Sequence, residues 1–260
     1  MVQVREKSLR EQLHPLICQL ACTLEKTWQS QLMLYSYDTP ADLGYVAGTL
    51  EGERLTIENH CYQTVQFRKL HLELAKVGNN LDILHCVMFP HSYFNLPIFG
   101  MDIVAGRGLI SAAIVDLSPV SRNRALPAQY EARLSELAPM VFAQPRDLPV
   151  WGDIFSDFCL FVRPTTHQEG TDFLTRATQY LSMHCELARE AVTLDSMEEH
   201  AWIMAGQQRY CLQQQQNDKT RRILERAFGT EWAERYLKTM LFDCVKSIPE
   251  PSNVMKHEVS

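Results

Sequence analysis

Residues 67–105 read FRKLHLELAKVGNNLDILHCVMFPHSYFNLPIFGMDIVA, three apolar runs of strand length joined by a Gly-Asn-Asn turn and a longer loop around PHSYFNLP. Period-two alternation sends Lys69, His71, Glu73 and Ala75 to one face of the first run and Leu70, Leu72 and Leu74 to the other. A hairpin symmetric about Asn79 pairs Glu73 with His85. The next connection has its midpoint between Tyr93 and Phe94, which pairs His85 with Asp102. Directly opposed residues of antiparallel strands share a face, with Cβ atoms roughly 4.5–5.5 Å apart. The three ionisable groups are therefore expected as one row across a sheet. A one-residue slip in either connection would break the row.

Working outward, further strands are expected at 45–50 and 55–59, flanking the turn signal EGER, and at 98–105, 109–117 and 154–162. Short turns rather than helical crossovers imply a mostly antiparallel meander of about seven strands. The run ILHCVMF (83–89) is apolar at most positions of both parities, so both of its faces need cover. Three helical regions supply it. Residues 8–30 place Leu13, Leu16, Ile17, Leu20, Leu24 and Trp28 at three- and four-residue intervals, a proline-bounded segment follows at 126–137, and 171–245 is helical with a break at NDKT (217–220). The expected fold is α/β, a three-layer α/β/α sandwich in one domain spanning 1–260. Its ordered core runs from about 9 to 245, and 248–260 is a flexible tail.

A hydrophobic content of 46% over 260 residues is enough for a substantial core. No run approaches the roughly 18 apolar residues of a membrane span, and MVQVREKSLREQ is too charged for a signal peptide, so a cytoplasmic protein without membrane attachment is expected. The eight cysteines form no CxxC pair and no zinc-like Cys/His spacing; they are expected to be reduced thiols, and no metal site is assigned. A net charge of −6 argues against a general nucleic-acid binder. Lysines and arginines nevertheless cluster in QFRKLHLELAKVG and NDKTRRILERAF. These are read either as a basic patch for a small acidic partner or as solvated faces.

A P-loop and a GxSxG elbow are both missing, and GRG at 106–108 is a lone fragment of a dinucleotide fingerprint. Nicotinamide, flavin and acyl-transfer chemistry are thereby disfavoured. What remains is proton chemistry. A carboxyl taken out of water has its pKa raised, and a neighbouring acid or imidazole decides how protons are shared. Such a row serves either as a proton-transfer site near neutral pH or as a structural network that satisfies buried polar groups.

The strings IENHCYQTVQFRKLHLELAKVGNNLDILHCVMFP (57–90), LPIFGMDIVAG (96–106), SAAIVDLSP (111–119), WGDIFSDFCLFVRP (151–164) and QQQQNDKTRRILERAFGTEWAERY (213–236) closely resemble the ferredoxin-dependent bilin reductase family, over roughly residues 9–245. The resemblance implies an antiparallel sheet between helical layers, with biliverdin held between the sheet and the C-terminal helices. It implies no bound metal or organic cofactor: a reduced 2Fe–2S ferredoxin, docking on a basic patch, delivers single electrons to the bilin of a monomeric protein. The implied reaction is the four-electron reduction of biliverdin IXα to phycocyanobilin through radical intermediates, first at the D-ring exovinyl group and then at the A-ring.

By the same resemblance, Asp102 of FGMDIVAG protonates the bilin and steers its radicals. His85 of LDILHCVMFP shares a proton with Asp102 and bonds the bilin lactam, and Glu73 of HLELAKVG donates to the exovinyl group. Lys219 and Asn217 of NDKTRR, Arg146 and Ser111 are implied substrate contacts, Lys219, Arg146 and Ser111 at the propionates. Ile83, Val87, Ile223 and Phe242 are implied apolar walls, with plain core packing the alternative for each. Where the family commonly has Cys before the aspartate this chain has Met101, which alternation turns to the opposite face. A reductase of different regiospecificity and a non-catalytic tetrapyrrole carrier are the competing readings.

Overall fold

The computed structural model describes residues 8–243. One antiparallel sheet contains eight strands: β1 (Tyr35–Ser36), β2 (Tyr45–Leu50), β3 (Glu53–Gln63), β4 (Phe67–Val77), β5 (Leu81–Pro90), β6 (Ile98–Gly106), β7 (Leu109–Ser118) and β8 (Leu160–Val162). From β3 to β8 they lie in sequence order, with β1 and β2 both pairing along β3. The meander follows from its connections. The β4–β5 turn holds Gly78 at φ +46, in the left-handed region that favours glycine, and sets the symmetric register about Asn79.

The helices are α1 (Pro15–Gln31), the single turn α2 (Ala41–Gly44), α3 (Ala128–Ser135), α4 (His167–Glu190), α5 (Met197–Gln214), α6 (Asp218–Phe228) and α7 (Thr230–Tyr236), the last running into a π-helical turn, Leu237–Leu241. Their starts are chemically marked. Thr166, Ser196 and Asn217 each accept a backbone N–H of the following turn, and Pro15 occupies the first turn of α1. The cap at Asn217 is what restarts the chain after the glutamine tract.

Alternation divides the core in two. Leu70, Leu72, Leu74, Leu84, Cys86, Met88, Met101 and Ile103 pack with α1, α3 and α4. Ala75, Val77, Val87, Phe89 and Ile98 pack with α5, α6, α7 and the π-helical turn. Alternate residues of the same strands thus feed two helical covers on opposite faces. On the second face, α5 approaches the strand ends so closely that a Cβ on Gly206 would lie 2.1 Å from the Val120 carbonyl oxygen.

Two strand expectations differ from the structure. Residues 154–162 yield only Leu160–Val162, preceded by a 3-10 turn at Gly152–Ile154. The cause is Asp116, whose carboxylate accepts both the Ser156 backbone N–H at 3.1 Å and the Ser156 hydroxyl at 2.5 Å and so takes that backbone out of the ladder. Conversely β1 forms, although two residues are too short for any periodicity to mark. The expected helix at 8–30 splits into a 3-10 turn, Arg10–Gln12, and α1. The expected tail at 248–260 lies outside the described residues, as do 1–7 and 244–247.

The first core contains a titratable group, His184, fully buried against Phe67 and Phe99, its Nδ1 2.8 Å from the Tyr130 hydroxyl. Burial pushes its imidazole down to about 3. Unfolded, it titrates near ~6.5. As pH falls from about 6.5 toward 3 the unfolded chain binds a proton that the folded chain refuses, so stability is lost at up to about 1.4 kcal/mol per pH unit. Denaturant midpoints measured at pH 7 and pH 5 should therefore converge in His184→Phe relative to the parent. An unchanged slope would remove His184 as the cause.

Candidate active site

The ionisable residues of the central strands gather on one face, apart from the Lys76–Asp82 ion pair beside the β4–β5 turn. Lys69, His71 and Glu73 of β4, His85 of β5, and Asp102 and Asp116 of the next two strands share the parity covered by α5, α6 and α7, whereas the buried positions of the opposite parity are apolar. Glu73 is paired directly with His85, and His85 directly with Asp102. The row derived from hairpin symmetry is the observed register.

His85 Nδ1 lies 2.7 Å from Asp102 Oδ1. Burial alone would lower the imidazole, but the Asp102 charge and hydrogen bond, with Glu73 nearby, raise it above its ordinary value. Its Nε2 is buried without a hydrogen-bond partner among the described residues, which leaves one ring nitrogen for a ligand. Glu73 is 7% exposed. Burial raises its carboxyl above the usual range against the opposing effects of His85 and a hydrogen bond with Tyr236. Asp102 is the accessible member, its side chain 40% exposed. A sheltered carboxyl beside a hydrogen-bonded imidazole–carboxylate pair that opens to the cavity is an arrangement able to exchange protons with a molecule lying on this face.

The cavity is there. A cleft between the sheet face and the C-terminal helices is lined by Glu73, Ile83, His85 and Asp102 of the sheet, by Asn217 at the start of α6 with Thr220 and Ile223 within it, and by Gln214 and Phe242. Seven of the residues singled out in the sequence thus line one space: Glu73, His85, Asp102, Asn217, Ile83, Ile223 and Phe242. Four do not. Val87 is fully buried in the core beneath. Lys219 is exposed, its backbone N–H donating to Asn217 Oδ1. Arg146 donates to the Ser111 carbonyl oxygen at 2.7 Å while Ser111 donates to that of Val104, so these two form a coupled pair on the β7 side, off the cavity wall.

Several groups escaped the sequence reading as members of the site. Asn59 and Tyr236 form a hydrogen-bonded chain between Glu73 and His71; β3 looked like an ordinary strand and α7 like an ordinary helix. Lys69 is fully buried and donates to the carbonyl oxygens of Thr239 (3.0 Å) and Met240 (2.7 Å), while Arg68 reaches Asp243 at 2.8 Å. Together they tie down the segment that carries Phe242, whose ring meets His85 edge-on. The alternation that put His71 and Lys69 on the Glu73 face was the available signal. It also means that QFRKLHLELAKVG forms no open basic patch, because Lys69 is buried and Arg68 and Lys76 are paired with Asp243 and Asp82.

Against known proteins, the family described as ferredoxin-dependent bilin reductase matches residues 21–243. The chain belongs to this family. Among curated bilin reductases, the phycocyanobilin:ferredoxin oxidoreductase of Synechococcus sp. is 58% identical over 90% of this chain and 95% of its own length. The enzyme of the same name from Trichodesmium erythraeum is 56% identical over 89% and 94%. A solved structure, tomato phytochromobilin synthase in complex with biliverdin, matches with a TM-score of 0.69 at 17% identity, covering 86% of this chain and 81% of that one. It shares the fold.

The His85–Asp102 contact generates a direct test. Replacing Asp102 by Asn removes the charge that raises His85 and leaves burial, which lowers it. The imidazole, followed by NMR on histidine-labelled protein without ligand, should titrate at least about one pH unit lower in Asp102→Asn. An unshifted titration would mean that the two do not share a proton.

Proposed function

We propose that this chain reduces biliverdin IXα to phycocyanobilin, taking four electrons one at a time from reduced ferredoxin and supplying the protons itself. The observation that carries the proposal is the Glu73–His85–Asp102 row on the floor of a cavity beneath the C-terminal helices, in a chain so similar along its length to enzymes named for this reaction. Those names favour phycocyanobilin as the product over that of another regiospecificity.

Two successive two-electron reductions need four protons in all. Asp102, open to the cavity and bonded to His85, is suited to protonating the bilin and to holding its radical states, because an added electron makes the tetrapyrrole more basic. His85 would bond the lactam through its unpartnered Nε2. Glu73, whose carboxyl burial raises above its ordinary range, would serve the D-ring exovinyl group before the A-ring is reduced. Ile83, Ile223 and Phe242 would wall the tetrapyrrole plane, with Val87 behind them. Asn217 would meet its edge, and Lys219 with the Arg146–Ser111 pair would meet propionates that extend past the enclosed wall.

Electrons would pass from the docked ferredoxin to the bilin without a bound metal or organic cofactor. The docking face we propose is the exposed side of α6, with Arg222 and Arg226. Arg222 and Arg226 pair with Asp218 and Glu51, but exposed pairs contribute little and are readily exchanged for an acidic partner. We place the enzyme in the cytoplasm as a monomer; no helix among the described residues is long and apolar enough to cross a membrane.

The experiment is anaerobic addition of reduced ferredoxin to the biliverdin complex, followed by absorption and electron paramagnetic resonance. The bound bilin should pass through radical intermediates. Asp102→Asn should bind biliverdin yet turn over at least ~100-fold more slowly, the scale of a lost general acid, and Glu73→Gln should stall at a two-electron product. A stable biliverdin spectrum in the parent would make the protein a carrier, and full product yield from Asp102→Asn would remove Asp102 from the chemistry.

A further inference from the structure

The hydrogen bonds around Tyr236 contain more acceptors than the hydroxyl can serve. Its oxygen lies 2.5 Å from Glu73 Oε2 and 2.9 Å from Asn59 Oδ1, but a tyrosine has one proton to donate. The orientation of the Asn59 amide is set independently. Its Nδ2 donates to the Leu43 carbonyl oxygen at 2.7 Å, an acceptor only, so Oδ1 faces Tyr236 and also takes the His71 Nε2 at 2.7 Å. Asn59 Oδ1 therefore has nothing to give. If Tyr236 donated to Glu73, its oxygen and that of Asn59 would be two acceptors in contact, in a region where Tyr236 is fully buried. One arrangement satisfies every contact: Glu73 carries a proton and donates it to Tyr236, which donates in turn to Asn59.

We infer that Tyr236 and Asn59 are positioning residues that hold Glu73 in its protonated, proton-donating form, and that the Tyr236 hydroxyl turns from Asn59 to the Glu73 carboxylate once that proton has been given away. This rests on the proposed role of Glu73 and adds a mechanism to it. The exchange balances: Glu73 loses one proton to its acceptor, Tyr236 keeps its own and changes partner, and the new anion gains a charge-assisted bond. Asn59 Oδ1, accepting from both sides, is also a break in the chain. No proton passes through it from His71, so Glu73 is recharged from the cavity side.

Other charged or titratable groups face Glu73 from each packed element. His71 and Lys69 lie on its own strand, Cys61 on β3, and His85 and Asp102 on the strands beyond; from the helices comes Tyr236 itself. None of them accounts for the Asn59 contact. Burial and the nearby Asp102 work in the same direction as the inferred arrangement.

Counting bonds gives two distinct expectations. In the parent the neutral acid keeps two hydrogen bonds and the carboxylate one. Asn59→Leu leaves one for each, so ionisation becomes easier. Tyr236→Phe removes both bonds of the neutral state and the single charge-assisted bond of the carboxylate, which is roughly twice as strong as either, so the losses nearly cancel and ionisation shifts little.

Infrared spectroscopy of the bilin-free protein reads this without any turnover. The parent should show a neutral carboxylic band near neutral pH that Glu73→Gln lacks. The pH at which it disappears should fall by about one unit in Asn59→Leu, the scale of one net hydrogen bond, and move by much less in Tyr236→Phe. A parent without the band, or an Asn59→Leu variant in which that pH is unchanged or raised, would overturn the inference while leaving the reductase reading intact. If Asn59→Leu fails to fold, the parent band and Tyr236→Phe decide, a rise of about a full unit in the latter overturning the inference. Loss of reductase activity in the parent, with the band and the downward shift of Asn59→Leu present, would instead overturn the function alone.

Discussion

Register is the constraint on which the site depends. The β4–β5 and β5–β6 ladders run through Glu73, His85 and Asp102 without a slip, and because side chains alternate, a single extra residue in either turn would send one member into the apolar core on the other face. The cost would be severe in both directions, with a carboxyl or imidazole buried among leucines and a leucine facing the cavity. The packing that stabilises the sheet therefore also fixes the chemistry. Met101, next to the accessible acid, sits in the opposite core with 1% exposure.

A polar row on a covered face needs a cover that is itself held in place. Lys69 provides much of this, its ammonium satisfying two backbone carbonyl oxygens at the end of the π-helical turn, with Asp243 3.7 Å away. Those carbonyls would otherwise be orphaned at a helix end, and the lysine would otherwise be an unpaired buried charge. Each need answers the other, and the result keeps Phe242 against His85. Above the other end of the row, α6 begins at Asn217, whose capping side chain also stands in the cavity wall.

Much of this was legible in the sequence, for physical reasons that differ by element. The first of the three central strands carried a long alternating pattern, and it is joined to the second by a turn with little freedom, so their pairing followed from symmetry. The strand expected at 154–162 failed because a side chain from β7, Asp116, competes for that backbone, a tertiary contact that no local pattern encodes. Asn59 and Tyr236 were invisible for the same reason: they lie far apart in sequence and become partners only when α7 packs on β3 and β4. The arginines of α6 read as a patch, but Glu51, Asp218 and Glu234 answer them, and only Asp218 was close enough in sequence to announce it.

In the proposed reaction the sheet face supplies protons to a bilin that receives its electrons from outside. The most direct measurement is chromatographic identification of the pigment formed when the purified chain, biliverdin IXα and excess reduced ferredoxin react to completion without oxygen. The predicted result is phycocyanobilin as the end product, with a D-ring-reduced two-electron intermediate appearing first. Recovery of unreduced biliverdin, or of an end product that keeps its D-ring vinyl group, would contradict it.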